Sequence, residues 1–343
     1  MASLQGNEKV KSILVTGGAG YIGSHTAKAL AQAGYRPVTI DDLSAGHRWA
    51  VQWGPLVEGG IGDRKLVRRT IEDYRIEAVI HFASNALVGE SMENPYKYLH
   101  DNVANSVELL EAMRETGVRS IVFSSTCATY GMPRQVPISE TEPQAPVNPY
   151  GESKLFVERA LDWYRQIHGL GWMALRYFNA AGADPEGETG EVHDPETHLI
   201  PLVADAALGL RPPVRVMGTD YPTPDGTAIR DYIHIADLAS AHIKALEHLF
   251  RGGESMGLNL GTGRGHSVRE VIAAVERAGG RRVPVVESGR RAGDPVVLVA
   301  DNRRAREVLG WEPRYMDLDE IVATAWNWHA SQADSMKTSV RRS

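Results

Sequence analysis

The sequence holds a single cysteine, Cys127, in 343 residues. One thiol excludes an internal disulfide framework and any cysteine-built zinc site, and it fits a reducing compartment. No stretch approaches about 18 uninterrupted apolar residues, so none reads as a membrane-spanning helix, and Met1–Lys11 is polar where a secretory signal would be apolar. Positive charge is not in excess either. With 37 Lys and Arg against 43 Asp and Glu, the net charge is −6, and a chain without a basic face is a poor binder of nucleic-acid phosphates. Repeats and low-complexity tracts are also missing. The remainder, 43% hydrophobic and 23% charged, is the composition of a soluble globular protein, expected in the cytoplasm with no membrane or nucleic-acid partner. Its length suits two domains, or one large α/β domain with an added lobe.

From Ser12 onward, short β-branched runs alternate with amphipathic segments. Strands are predicted at 13–15, 36–40, 78–82, 120–123 and 172–178, and helices at 21–33, 95–115 and 150–168. Strict alternation implies right-handed crossovers and a parallel sheet covered on both faces. After Asn179 the pattern loosens into Gly, Pro, Asp and Glu, with one clear helix near 199–208. It resumes at 235–250 and 257–260, followed by a helix at 267–278 and a short strand near 283–286. The expected fold is a Rossmann-type doubly wound parallel sheet, α/β, with a smaller C-terminal α/β lobe. Residues 12–179 with about 232–262 form the first domain and about 180–231 with 263–332 the second; 1–11 and 333–343 are expected to be flexible.

The first strand runs straight into Thr16-Gly17-Gly18-Ala19-Gly20-Tyr21-Ile22-Gly23, which opens a helix. Gly17, Gly20 and Gly23 form a variant of the dinucleotide fingerprint, tightening the turn so that backbone N–H groups meet a pyrophosphate at the positive helix end. A tight strand-to-helix connection would look similar. Context argues for the cofactor: Asp41, 18 positions beyond Gly23 and followed by Asp42, ends the second strand, where a carboxylate accepts both ribose hydroxyls and repels a 2′-phosphate. No Arg follows until Arg48, so NAD is favoured over NADP.

These segments resemble the extended short-chain dehydrogenase/reductase family and, within it, the UDP-glucose (UDP-galactose) 4-epimerases. The likeness runs from Ile13 to about His329 through TGGAGYIGSH at 16–25, SSTCATYG at 124–131, NPYGESK at 148–154, LRYFNAAG at 175–182, DGTAIRDYIH at 225–234, NLGTG at 259–263 and RRAGD at 290–294. It implies reversible C4 epimerisation of a UDP-sugar, by transient oxidation to a 4-keto sugar on tightly held NAD. It places Tyr21, Ile22, Gly60, Ile61, Phe82, Ala83, Ser84, Ala86, Asp101, Ser124 and Tyr177 at the cofactor with the glycines, Asp41 and Asp42.

Tyr150 and Lys154 stand four apart on a predicted helix and so share a face. A free phenol has a pKa of roughly 10, and a nearby ammonium lowers it toward use as a base. Thr126, ending a strand, occupies the family's hydroxyl position and relays the sugar proton to Tyr150. The related 4,6-dehydratases follow this Thr with Asp-Glu; Cys127 and Ala128 stand here instead, which disfavours dehydration. Cys127 reads as a small buried residue.

The resemblance assigns the UDP-sugar to Asn179, His198, Leu199, Arg215, Val216, Met217, Arg230, Tyr232, Arg291, Asp294 and Leu298, together with Thr126 and Tyr150. Arg230 and Arg291 suit a diphosphate, Asp294 a ribose, and Arg215 to Met217 a uracil. Four positions depart from the family: Gly60 replaces an acid near adenine, with Asp63 close by; Ala86 replaces a Lys; Asp101-Asn102 replaces paired Asn; and Leu298 replaces a Tyr beside the sugar. Leu298 leaves room for an N-acetyl group, so UDP-N-acetylhexosamines and UDP-xylose/UDP-arabinose stay open as substrates. Two further readings are a net-redox sugar-nucleotide reductase, which Asp41 disfavours because such enzymes often use NADPH, and a non-catalytic dinucleotide sensor, which the intact Thr126, Tyr150 and Lys154 argue against. His193 and His198 with Asp194 and Glu196 match no zinc spacing and read as a polar loop, so no metal is expected. The resemblance implies that the helices at 95–115 and 150–168 pair with a second copy, giving a homodimer through a four-helix interface; the sequence alone equally allows covered surface helices.

Overall fold

The computed structural model describes residues 10–340, apart from residue 292. In chain order the first half comprises β1 (Ser12–Thr16), α1 (Tyr21–Gln32), β2 (Arg36–Asp41), β3 (Leu56–Glu58), α2 (Arg64–Tyr74), β4 (Ile76–His81), α3 (Val88–Glu93), α4 (Pro95–Tyr98), α5 (Asn105–Thr116), β5 (Ser120–Thr126), α6 (Pro149–His168) and β6 (Gly171–Tyr177). The second half adds β7 (Asn179–Ala181), α7 (Leu199–Ala207), β8 (Val214–Met217), β9 (Ile229–Arg230), β10 (Tyr232–His234), α8 (Ile235–Phe250) and β11 (Met256–Leu260). It closes with β12 (His266–Ser267), α9 (Val268–Gly279), β13 (Val285–Ser288), β14 (Val297–Leu298), α10 (Arg303–Leu309) and α11 (Leu318–Val340).

Seven strands form one parallel sheet in the order β11-β6-β5-β4-β1-β2-β3. All five residues of β1 are buried, as a strand covered on both faces requires. One face packs against α1, α8 and α10 through Leu30, Leu238, Leu246 and Leu309. The other packs against α2, α5 and α6 through Ile71, Leu109, Met113 and Leu161. From β1 the chain winds outward to β2 and β3, then returns past β1 to β4. The reversal opens a crevice at the carboxyl ends of β1 and β4, where ligands bind in such sheets.

The second lobe lies at that edge. Its core joins α7, α9 and α11 through Val203, Val271 and Val322. Its strands make three small sheets, β10-β7, β12-β9-β14 and β13-β8.

Three expectations change. The helix at 95–115 is not continuous: α4 passes into a π-helical stretch, Leu99–Ala104, before α5 begins. Wider turns of this kind occur frequently at functional sites. Residues 333–340, expected to be loose, continue α11, because no Gly or Pro interrupts the run and Ala333 is buried; the other residues expected to be flexible lie outside the described part, except Val10 and Lys11. The last short strand sits two residues later, at Val285–Ser288. Four helices, α2, α3, α10 and α11, have no counterpart among the predicted elements; Asp63 caps the start of α2 by accepting from Leu66 N at 3.0 Å.

Candidate active site

Gly17 leaves β1 with φ of +70°, and a Cβ there would lie 2.6 Å from Ala83 N. A Cβ on Gly23 would lie 2.2 Å from Gly17 O, so the protein itself demands both glycines. Gly20 has ordinary room, its nearest atom at 3.4 Å. Asp41 braces this turn: Ala19 N donates to its Oδ2 and Leu43 N to its Oδ1, both at 2.9 Å. Burial pushes this carboxyl above its usual range. Each oxygen retains a lone pair for a further donor. Arg48 is engaged with Glu58. The anion-facing helix end, the close-approach glycines and the acid after β2 together fit a dinucleotide.

Around this turn, Asp42 is exposed and accepts from Ser44 N at 2.9 Å, while Gly60 lies beside it and Ile61 enters the core. The Asp63 carboxylate, close by in sequence, caps α2 through its Oδ1. Tyr21 donates to Gly182 O at 2.6 Å, joining α1 to the second lobe, and Ile22 packs on the core. After β4, Phe82 N and Ala83 N both donate to Thr16 O. Ala86 is exposed. The π-helical stretch presents Asp101 and Asn102 to Asn85: Asn85 Nδ2 donates to Asp101 Oδ2 at 2.9 Å, and Asn102 Oδ1 accepts from Asn85 N at 2.7 Å.

The three residues expected to be catalytic, Thr126, Tyr150 and Lys154, come from two elements. Asn148 caps α6, and Pro149 fits its first turn, which sets Tyr150 and Lys154 on one face. Lys154 is 1% exposed, its Nζ donating to Ser84 Oγ at 2.6 Å and to Ser124 O at 2.9 Å. Thr126 ends β5, and its side chain lies close enough to Tyr150 to lower the affinity of the phenol for its proton. Ser124 Oγ meets the Tyr177 hydroxyl.

The charge balance differs from the expected one. Burial pushes the Tyr150 phenol up to about 12, and Thr126 supplies the one lowering influence. Lys154 Nζ stands 6.0 Å from the centre of the Tyr150 ring. Burial lowers Lys154 itself to about 7, so in the protein alone desolvation outweighs the acidifying effect expected of this cation. Cys127 is buried and its thiol is pushed up to about 12, which makes it inert, as expected.

Two buried charges that support this site stand outside the expected set. Glu158 on α6 accepts from Ser125 Oγ at 2.5 Å and from Arg176 Nε and Nη2 at 3.0 and 2.6 Å. Arg176 Nη1 reaches the Tyr130 hydroxyl, which donates to Asn259 Oδ1 at 2.7 Å. Asp231 accepts from Thr262 N and Oγ1, Gly263 N and Ala300 N. An Arg inside a central strand run is the signal for the first; nothing local marks the second.

Residues 13–261 match the NAD dependent epimerase/dehydratase family. The chain belongs to this family. It is 53% identical to a UDP-glucose 4-epimerase of Rhizobium leguminosarum bv. trifolii, over 93% of this chain and 98% of that protein. Among solved structures, it is similar to the UDP-glucose 4-epimerase from Brucella ovis in complex with NAD, with 53% identity, TM-score 0.91 and coverage of 93% and 99%. It is also similar to the UDP-Glc/GlcNAc 4-epimerase from Campylobacter jejuni, with 40% identity, TM-score 0.82 and coverage of 94% and 99%.

The residues expected to hold the UDP-sugar are placed unevenly. Asn179 opens β7. Arg230 Nη2 pairs with Asp294 Oδ1 at 2.5 Å, and its Nη1 donates to Ile229 O, so the two residues expected to hold phosphate and ribose hold each other. Arg215 and Arg291 are exposed, Val216 is buried and Met217 half-buried. Tyr232 is 5% exposed, within the lobe core that Leu199 also joins. Leu298 packs against a cluster containing Cys127 and Phe178. The His198 ring is engaged by Glu196 and Glu191. In the loop expected to be polar, Glu191, His193, Glu196 and His198 converge, all four ligand atoms lying within 4.8 Å of one another; Asp194 is not among them.

Proposed function

We propose that this chain interconverts UDP-glucose and UDP-galactose by inverting C4 of the sugar. The observation that carries the reading is the Tyr150 phenol on α6 beside the Thr126 side chain at the end of β5, with Cys127 and Ala128 where a dehydratase needs an acid and a base.

The Gly17–Gly23 turn takes the pyrophosphate of NAD and Asp41 its ribose hydroxyls. When bound, NAD supplies a hydride acceptor and, in its oxidised form, a positive charge that favours the phenolate. Thr126 holds the C4 oxygen of the sugar, and Tyr150 takes its proton as C4 becomes a carbonyl. The 4-keto sugar turns about its bond to the diphosphate while the second lobe keeps the nucleotide. With the opposite face of C4 then presented to the cofactor, Tyr150 would return the proton to the C4 oxygen. No net oxidation results, so one cofactor serves every cycle.

Purified enzyme given UDP-galactose, with products separated by anion-exchange chromatography, is expected to reach the same mixture as when given UDP-glucose. Tyr150→Phe is expected to lose at least ~10²-fold in turnover. Steady accumulation of free NADH with no second sugar would overturn the reading in favour of a net-redox enzyme. Leu298 beside Cys127 and Phe178 favours a second activity on UDP-N-acetylhexosamines.

Phe156, Trp163 and Ile167 form an exposed stripe on α6, at 41%, 61% and 66% exposure, and Tyr96 adds to the exposed apolar surface. We assign α6 and the 95–116 helical segment to a homodimer interface. No described helix is long and apolar enough to cross a membrane, and the lone cysteine is a buried free thiol, in keeping with a cytoplasmic setting.

A further inference from the structure

The loop before α7 gathers two imidazoles and two carboxylates from a stretch of eight residues, 191–198. His198 Nδ1 lies 2.8 Å from Glu191 Oε1 and 3.0 Å from Glu196 Oε1. His193 Nδ1 lies 3.2 Å from Glu191 Oε1 and 3.5 Å from Glu196 Oε2. Four donors bonded tetrahedrally at about 2.0–2.1 Å to one ion stand on the order of 3.3 Å apart; the imidazole–carboxylate separations span that value, Glu196 meeting His198 through Oε1 and His193 through Oε2. Two details separate the group from an ordinary ion-pair cluster. The Glu191 side chain is 5% exposed, yet for all its short approaches its Oε1 makes no aligned hydrogen bond, and His193 Nδ1 is likewise buried and unbonded. Both unsatisfied atoms point among the same neighbours, where leaving them so would be costly.

We propose that Glu191, His193, Glu196 and His198 bind one divalent zinc-class ion. Two carboxylates and two neutral imidazoles balance its charge, and a mixed nitrogen and oxygen set of four suits Zn²⁺. The surroundings are those of a built site: Thr197 N and His198 N each donate to Glu196 Oε1 at 2.7 Å, which fixes one carboxylate. The His198 side chain is 45% exposed, leaving a path for entry. Four protein ligands close the coordination shell, so the ion is structural. It pins the start of α7 to the loop that packs on the cofactor helix, where the His193 ring stands edge-on to Tyr21, 6.3 Å between centroids, and Ser24 Oγ meets Thr189 Oγ1 at 3.3 Å. The second acidic group, Asp184, Glu186 and Glu188, is already filled by Lys28 Nζ at 2.5–2.9 Å and needs no ion.

The test uses full-length, tag-free protein stripped with a chelator and then titrated with ZnCl₂. Calorimetry and elemental analysis are expected to find about one zinc per chain. With CoCl₂, the visible absorption is expected to have the intensity of a tetrahedral site. His193→Ala, at a half-buried position, is expected to weaken zinc binding by at least ~10-fold and abolish the cobalt bands while the circular dichroism is retained. Glu191→Gln, nearly isosteric, is expected to do the same. Failure of the stripped protein to take up zinc, or unchanged uptake by both variants, overturns the proposal. None of these readouts depends on which sugar the enzyme converts.

Discussion

Arg176 on β6 and Glu158 on α6 form a two-pronged ion pair in the interior, Nη2 to Oε2 at 2.6 Å and Nε to Oε1 at 3.0 Å. Their side chains are 9% and 5% exposed. The pair clamps the helix that carries Tyr150 to the strands beside it, since Ser125 Oγ shares Glu158 and lies next to Thr126. It ties the helix that carries Tyr150 to the strand that carries Thr126.

Breaking one side of that pair leaves a buried charge unpaired. Arg176→Met is expected to lose about 3–5 kcal/mol of stability in urea unfolding. The double variant Arg176→Met with Glu158→Leu is expected to recover much of it, because no lone charge remains. A single variant as stable as wild type would show the pair to be well hydrated.

Gly20 and Gly23 are expected to fail differently. Gly23→Ala forces a Cβ within 2.2 Å of Gly17 O and is expected to destabilise the fold by about 1–3 kcal/mol or more. Gly20→Ala meets only an ordinary contact at 3.4 Å. It is expected to keep its melting temperature and lose NAD affinity, measured by fluorescence titration. Equal melting losses would contradict the steric distinction.

Lys154 makes the stability of the NAD-free protein depend on pH. Its ammonium titrates at about 7 when folded, against roughly 10.4 when unfolded. Between those values the unfolded chain binds the extra proton, so stability rises with pH across that window, and the penalty of burying the ammonium is felt in full only below about 7. Lys154→Met lacks this proton. The stability of wild type relative to the variant is therefore expected to increase from about pH 6 to about pH 9. Parallel curves would place the lysine in better-solvated surroundings.

Leu298 is expected to tune the sugar. Leu298→Tyr adds bulk beside Cys127 and Phe178, and kcat/KM for UDP-N-acetylgalactosamine is expected to fall about 10-fold or more relative to UDP-galactose. Equal losses on both substrates would remove the size argument.

What was legible in the sequence is what neighbouring residues decide among themselves. The turn from β1 into α1, the acid closing β2, and the shared face of Tyr150 and Lys154 follow from turn geometry and helical spacing over a few residues. Those constraints also carried the family likeness. Tertiary structure alone decided which distant groups face one another: Glu158 with Arg176, Asp231 with the amides of Thr262, Gly263 and Ala300, and Arg230 with Asp294. It also decided the proton affinities of Tyr150 and Lys154, which depend on how much water the packed chain removes from each group and not on their spacing. The four residues before α7 make the same point. Their spacing matches no metal motif, and only the irregular path of the loop, bent back over α1, turns all four toward one centre.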